Sequence, residues 1–451
     1  GKAKSRQEAH EDDRLGKHSA KCVFSGIEIG HGLDRLPPFK KKSHVPIGEN
    51  FIVCPPPAEV DKGATYKAHI DMKISSDILP QAGLYIHVPF CLSKCAYCSF
   101  YSIESLRLIP DYLAALQKEI KFYRKYFASV DTIYIGGGTP SLLKADQLAS
   151  ILSSIHKTYQ ISANAEINLE ANPGDISLEY LKTIKSIGIN RLNIGIQSFD
   201  DKLLKFLGRR HSAKDAMAAI IASRQAGFDN LGIDLIYGVH GSGIKSWENT
   251  LQKAVALAPE HISCYQLSLD AKTPLYQHYA KENFAMLTED QELKFFLTTS
   301  SQLEAAGYIH YEVSNFARTE EFQSRHNMKY WRHAPYLGLG PAAHSFLENK
   351  RWWNKPSVRD YIKELAEGKM PLDGSEKLSP DQLQLEALFL GLRTKAGIDL
   401  KLYQDKYGLD LLAEKKQVIE KLLENNLVTV ERGFLKPTIS GLAVADSLAL
   451  I

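Results

Sequence analysis

From residue 84 onward, short apolar runs alternate with longer stretches in which apolar residues recur at helical spacing. The short runs predict strands at residues 84–88, 132–135, 166–170, 191–196, 231–236 and 262–269. The longer stretches predict helices at residues 110–127, 144–157, 177–187, 213–226, 246–257 and 289–306. This alternation predicts parallel βαβ units with right-handed crossovers, which form either an open doubly wound sheet or a partial (β/α) barrel.

The two ends of the chain depart from this pattern. Residues 1–82 show no sustained periodicity and predict a poorly ordered extension, in which Met72 is the expected native start. Residues 83–310 hold the predicted barrel, and residues 311–375 form an aromatic-rich connection that we expect to be irregular up to about residue 356. Residues 376–451 predict a small domain of helices followed by a hairpin closed by Arg432-Gly433, which resembles a winged helix.

Composition and charge exclude several classes of protein. An apolar content of 44% with 24% charged residues is that of an ordinary soluble protein. The net charge of +3 favours neither nucleic acid nor an anionic membrane surface as a partner. The sequence contains no apolar run long enough for a transmembrane helix, and residues 1–30 lack the apolar core of a secretory signal. We therefore predict a cytoplasmic protein.

Three of the six cysteines lie within eight residues, directly after the first predicted strand. Cys91, Cys95 and Cys98 have the spacing C-x3-C-x2-C, which can hold a [4Fe–4S] cluster and leave one iron free for another ligand. The same cysteines with His87 as a fourth ligand would make a zinc site. A chance group of buried thiols is the third alternative, and the spacing favours the cluster over both.

Glycines and polar residues lie at the ends of the predicted strands. The second strand runs into Gly-Gly-Gly-Thr at residues 136–139, which is either a plain tight turn or a place where backbone and exposed N–H groups approach a ligand. Later strands are followed by, or contain, four other polar residues: Glu170, Gln197, Arg209 and Asp234. Each alone is more often structural, but together at the mouth of a barrel they suit a zwitterionic ligand.

The cysteine motif, with Tyr97 just before its last cysteine, resembles that of the radical SAM superfamily. This resemblance implies a TIM-like partial (β/α)6 barrel and a [4Fe–4S] cluster whose free iron binds S-adenosylmethionine (SAM). Over about residues 83–451 the chain is similar to oxygen-independent coproporphyrinogen III oxidase and its relatives. That similarity implies a set of residues that contact SAM: Tyr85, Tyr97, Gly137, Gly138, Thr139, Glu170, Gln197, Arg209 and Asp234.

Two places in the sequence separate the branches of this family. The oxidase branch has a fourth cysteine two residues after the third, where this chain has Phe100, and this difference argues against decarboxylation of coproporphyrinogen III. The sequence His326-Asn-x-x-Tyr330-Trp331 is similar to the haem-chaperone (HemW) branch, in which it is associated with haem binding. Imidazole can ligate haem iron, and Tyr and Trp faces can cover a porphyrin.

The resemblance therefore implies a haem chaperone that binds haem and passes it to an acceptor haem protein, such as a respiratory one. The alternative is the oxygen-independent coproporphyrinogen III oxidase of porphyrin biosynthesis, an activity that we expect this chain to lack. A zinc-bearing structural protein is the third possibility.

Overall fold

The computed structural model describes residues 81–448, so the expected native start at Met72 and residues 1–80 of the predicted N-terminal extension lie outside the described residues. Six parallel strands, each where the apolar pattern predicts one, pair in chain order at the centre of one large sheet. They are β1 (Ala82–Val88), β2 (Ser129–Gly137), β3 (Gln160–Ala171), β4 (Arg191–Gln197), β5 (Leu231–Tyr237) and β6 (His261–Gln266). The parallel order confirms the predicted βαβ units.

Helices follow each of these strands and bury apolar side chains in the interior. They are α1 (Ile109–Phe122), α2 (Ala145–Thr158), α3 (Leu178–Ser186), α4 (Asp201–Phe206), α5 (Ala213–Gln225), α6 (Ile244–Ala256), α7 (Pro274–Tyr279) and α8 (Glu289–Ala305). Helix α1 is typical, since Tyr112, Leu116 and Ile120 follow helical spacing and are fully buried. The pattern did not predict α4 and α7, because six residues are too few to show a helical period.

The chain after residue 308 extends the sheet at both edges, and the expectation of an irregular stretch there was wrong. Its elements are β7 (Ile309–Glu312), β8 (Asn315–Ala317), α9 (Arg325–Trp331), β9 (Tyr336–Leu339), β10 (His344–Leu347), β11 (Lys350–Asn354), α10 (Val358–Ala366) and β12 (Leu372–Lys377). Strand β9 pairs with β1 in parallel, and β8 pairs with β6 antiparallel. Most of these strands have only three to five residues, which is too short for alternation to be recognised.

The sheet has the strand order β12-β11-β10-β9-β1-β2-β3-β4-β5-β6-β8-β7 and does not close into a full barrel within residues 81–448. This arrangement agrees with a partial (β/α)6 barrel of the radical SAM type. Within the same residues, no helix is both long and apolar enough to cross a membrane.

The C-terminal residues form a module of helices with a small sheet of order β13-β15-β14. Its elements are α11 (Pro380–Gly391), β13 (Ile398–Asp399), α12 (Leu400–Tyr407), α13 (Leu411–Glu414), α14 (Lys416–Glu424), β14 (Val428–Glu431), β15 (Phe434–Pro437), α15 (Ile439–Ala443) and α16 (Ala445–Leu448). Arg432 and Gly433 have φ values of 51° and 82°, as a two-residue hairpin turn requires. The predicted hairpin and the winged-helix-like domain are therefore confirmed.

Alternation along the central strands separates an apolar outer face from a polar inner face. On β1, Leu84, Ile86 and Val88 are fully buried in the core, whereas Tyr85 and His87 lie on the opposite face. Closed TIM barrels fill their interior mainly with branched apolar side chains. The polar inner face of this barrel therefore indicates a place for a ligand.

Candidate functional site

A cavity of about 420 Å³ lies at the carboxyl ends of the parallel strands. The three clustered cysteines line it, together with eight of the nine residues for which the resemblance implies a contact with SAM: Tyr97, Gly137, Gly138, Thr139, Glu170, Gln197, Arg209 and Asp234. The ninth, Tyr85, is not among the lining residues, and its hydroxyl hydrogen-bonds with His87 Nδ1 at 3.0 Å. The fold thus brings residues that are far apart in sequence to one cavity at the carboxyl ends of the strands.

The loop that follows β1 holds the cysteines at this mouth. The N–H of Cys91 donates to the Ile103 carbonyl at 3.0 Å, and the N–H of Cys98 donates to the Cys95 carbonyl at 3.2 Å. Cys91 is buried, while Cys95 and Cys98 are half-buried. Burial raises the pKa of the Cys98 thiol to about 12, so a thiolate at this position requires a strong local positive charge such as cluster iron.

The glycine motif at the end of β2 packs against the cysteine loop, main chain to main chain. The Gly137 N–H donates to Glu170 Oε2 at 3.1 Å, and the Gly138 N–H donates to the Val88 carbonyl at 2.8 Å. Both N–H groups therefore have protein acceptors in this structure. Gly138 allows the close approach of the two main-chain segments, because a Cβ at this position would lie 2.7 Å from the Phe90 carbonyl oxygen.

Two half-buried carboxyl groups face the cavity. Glu170 Oε1 accepts from the Tyr134 hydroxyl at 2.7 Å, and Asp234 Oδ2 accepts from Asn193 Nδ2 at 2.7 Å. Burial raises the pKa of Glu170 to about 7, and the nearby Asp234 adds to this effect. Burial also raises the pKa of Asp234. A pair of acids whose ionised forms are both disfavoured fits a ligand that brings positive charge.

Arg209 and Gln197 complete the mouth. Arg209 Nη1 donates to Cys95 Sγ at 3.4 Å, and Nη2 donates to Asn172 Oδ1 at 2.6 Å and to the Gly195 carbonyl at 2.7 Å. Gln197 lies at a bulge that ends β4 and has a φ of 65°. Its buried Oε1 has no hydrogen-bond partner within residues 81–448, so it can accept from a ligand.

The three thiols fit a cubane cluster better than a zinc ion. His87, the fourth ligand in the zinc alternative, donates from Nε2 to the Tyr101 carbonyl at 2.9 Å, and its Nδ1 is paired with Tyr85. In the described part of the chain, no three His, Cys, Asp or Glu side chains converge closely enough to hold one metal ion. A [4Fe–4S] cluster spreads its thiolates over separate irons, so convergence on one ion is not needed.

The predicted haem residues lie below this mouth, on the inner face of the barrel and under the C-terminal module. His326 is 1% exposed, and its ring nitrogens hydrogen-bond with Thr132 Oγ1 and with the Tyr330 hydroxyl, both at 2.9 Å. Burial lowers the pKa of His326 to about 3. Trp331 is buried, with the Arg393 guanidinium 5.1 Å from its ring centroid. His326 and Trp331 therefore pack as interior residues, Tyr330 is half-buried, and none of the three lines the cavity.

Sequence reasoning missed three polar residues of the site. Tyr134 and Asn193 bind the two cavity acids, and Asn172 binds Arg209. Strand alternation held a signal for Tyr134, which lies two residues before Gly136 on the same face of β2. Nothing in the pattern indicated which side chain it would meet.

Family models, related sequences and solved structures agree on the kind of protein to which this chain is similar. The model of the Radical SAM superfamily matches residues 85–254, and that of the HemN C-terminal domain matches residues 378–444. The haem chaperone HemW of Bacillus subtilis (strain 168) is 36% identical over 349 residues, which cover 76% of this chain and 92% of that protein. HemW of Synechocystis sp. is 35% identical, over 72% of this chain and 81% of its own length. The fold resembles coproporphyrinogen III oxidase (HemN) from Escherichia coli, with a TM-score of 0.71 and 24% identity over 82% of this chain and 89% of that one.

Proposed function

The chain belongs to the HemW family of radical SAM proteins, and from this premise we propose that it is a haem chaperone, which binds haem and passes it to an acceptor haem protein. The observation that carries the cofactor part of this proposal is one cavity lined by three cysteines, two half-buried acids and an amide oxygen that has no hydrogen-bond partner within residues 81–448. A cytoplasmic location and a respiratory haem protein as acceptor belong to the same proposal.

In this proposal Cys91, Cys95 and Cys98 ligate a [4Fe–4S] cluster, and the strand-end residues hold SAM on its free iron. When bound, the cluster supplies one-electron chemistry at SAM. Glu170 and Asp234 face the positively charged parts of SAM, which offset the cost of ionising two acids whose pKa is raised by burial. Gln197 Oε1 accepts a hydrogen bond from the ligand. The guanidinium of Arg209 stabilises the Cys95 thiolate.

For haem, we propose His326 as an iron ligand and Tyr330 and Trp331 as the faces that cover the porphyrin. Both ring nitrogens of His326 have hydrogen-bond partners, so ligation requires the ring to leave at least one of them. Each lost hydrogen bond costs about 1 kcal/mol. Haem binding is therefore expected to accompany an outward movement of α9, and this movement is also part of the proposal.

Anaerobic reconstitution with iron and sulfide tests the cluster. We expect about four iron and four sulfide per chain, with loss of the cluster in Cys95→Ala. Cys264→Ala is the matched control, because Cys264 is a buried cysteine on β6 that does not line the cavity. Iron uptake that is the same in Cys95→Ala as in the parent protein would refute the cluster assignment.

Haem titration followed by absorbance, and then transfer to an apo-haem protein, tests the chaperone activity. We expect binding of one haem per chain that is lost in His326→Ala and release of haem to the acceptor. Unchanged haem binding in His326→Ala would remove His326 from the proposal. Conversion of coproporphyrinogen III by the reconstituted protein would favour the oxidase alternative instead.

A further inference from the structure

Tyr134 contacts both Glu170, which lines the cavity, and the buried His326. Its hydroxyl donates to Glu170 Oε1 at 2.7 Å, and its ring stacks on His326 with centroids 5.2 Å apart and an interplanar angle of 30°. The side chain is buried, with 7% of its surface exposed. Neither the cysteine motif nor the H-N-x-x-Y-W motif includes this residue.

Tyr134 is one of two hydrogen-bond donors to the Glu170 carboxylate. One carboxylate oxygen accepts from the N–H of Gly137, the last residue of β2, and the other accepts from the Tyr134 hydroxyl. The charged or titratable groups that act on Glu170 are Tyr134 on β2, Asp234 on β5 and Tyr85 on β1. Among these contacts, the Tyr134 hydroxyl is the side-chain donor that directs Glu170 toward the mouth.

The same face of β2 also holds the His326 ring. Thr132, two residues before Tyr134, hydrogen-bonds with His326 Nδ1 at 2.9 Å. The ring has little space, since a Cβ on Gly83 would lie 3.1 Å from His326 Cε1. If His326 leaves this position, Tyr134 loses the ring that packs against it, and the restraint on its hydroxyl weakens.

We propose that Tyr134 is a positioning residue that aims Glu170 at the ligand cavity and couples this cavity to His326, so that SAM and haem oppose each other's binding. The inference rests on the proposed function, in which Glu170 faces a cationic part of SAM and His326 ligates haem iron. SAM favours the arrangement in which Tyr134 donates to Glu170 and stacks on the buried His326. Haem favours the arrangement in which the His326 ring has left the stack. Each ligand then weakens the other by the same factor.

The first test compares SAM affinity in two Tyr→Phe variants of the cluster-loaded protein by equilibrium dialysis. Tyr134→Phe keeps the ring and its stack but removes the hydroxyl, and we expect SAM to bind about tenfold more weakly, or about 1.4 kcal/mol. Tyr308→Phe is the matched control, because Tyr308 is also buried and its hydroxyl donates at 2.7 Å, but to the Pro259 carbonyl. We expect this control to bind SAM as the parent protein does.

The pH dependence of SAM binding separates positioning from a general structural effect. SAM affinity is expected to rise with pH as Glu170 ionises, around its pKa of about 7. The Tyr134 hydrogen bond lowers this pKa against the effect of burial, so its removal raises the pKa and moves the profile to higher pH. The profile of Tyr308→Phe is expected to stay in place. A Tyr134→Phe variant with the parent affinity and the parent pH profile would overturn the inference.

The second test is haem titration with and without saturating SAM. In the parent protein we expect SAM to weaken haem binding at least about fivefold, and in Tyr134→Phe we expect the two titrations to coincide. Thr132→Val gives an independent check. It removes the hydrogen bond to His326 Nδ1 and leaves the hydrogen bonds of Glu170 in place, so it should tighten haem binding. Equal haem affinity with and without SAM in the parent protein would refute the coupling, whereas a parent protein that binds neither ligand would refute the proposed function itself.

Discussion

Substitution of Gly138 by alanine tests whether the cysteine loop depends on close main-chain packing at the end of β2. A Cβ at this position would lie 2.7 Å from the carbonyl oxygen of Phe90 and 2.9 Å from its nitrogen. Because both are main-chain atoms, no side-chain rotation relieves the contact, and the segment just before Cys91 must move. We expect the free energy of unfolding to fall by about 1–3 kcal/mol, as overpacked sites do.

The displacement of Cys91 should also reduce cluster content. The assays are urea denaturation of the protein and iron and sulfide analysis after anaerobic reconstitution. Gly174→Ala is the matched control near the same mouth, since its Cβ would meet its first neighbour, His211 Cβ, at an ordinary 3.9 Å. A Gly138→Ala protein with the parent unfolding midpoint and full iron content would refute the packing argument. An equal loss of stability and iron in Gly174→Ala would show that the effect is not specific to the main-chain contact of Gly138.

Three further predictions concern the interior, the C-terminal module and the cavity. Tyr361→Phe removes a 2.6 Å hydrogen bond to the fully buried Glu119, and we expect urea denaturation to show a loss of about 1.5–3 kcal/mol. Gly397→Ala should expose the C-terminal module to limited proteolysis, because its Cβ would collide with the β15 backbone. Gly408→Ala, with a similar φ but open space, should be cleaved more slowly, and equal cleavage would contradict the prediction. Arg209→Met loses three hydrogen bonds at the cavity, and we expect it to weaken SAM binding at least about tenfold. Equilibrium dialysis at full cluster loading measures this, and a variant with the parent affinity would disprove the prediction.

The sequence by itself determined the central architecture and the position of the cysteine loop. The parallel strands and most of their helices follow from apolar periodicity, which is a local property of about ten residues at a time. The two-residue turn at Arg432-Gly433 is equally local, because its φ values depend on the residues themselves. The spacing of Cys91, Cys95 and Cys98 indicated a common loop, and the structure brings all three to one cavity.

Only the tertiary structure decided which side chains meet. Alternation could place Tyr134 on the inner face of β2, but its contacts with Glu170 and His326 depend on how the sheet curls and how the strands are aligned. The interior position of His326 was likewise not predictable, because α9 has only seven residues and is held by contacts with strands more than 150 residues earlier. Periodicity specifies the face on which a side chain lies, whereas its neighbours are set by the packing of segments that are distant in sequence.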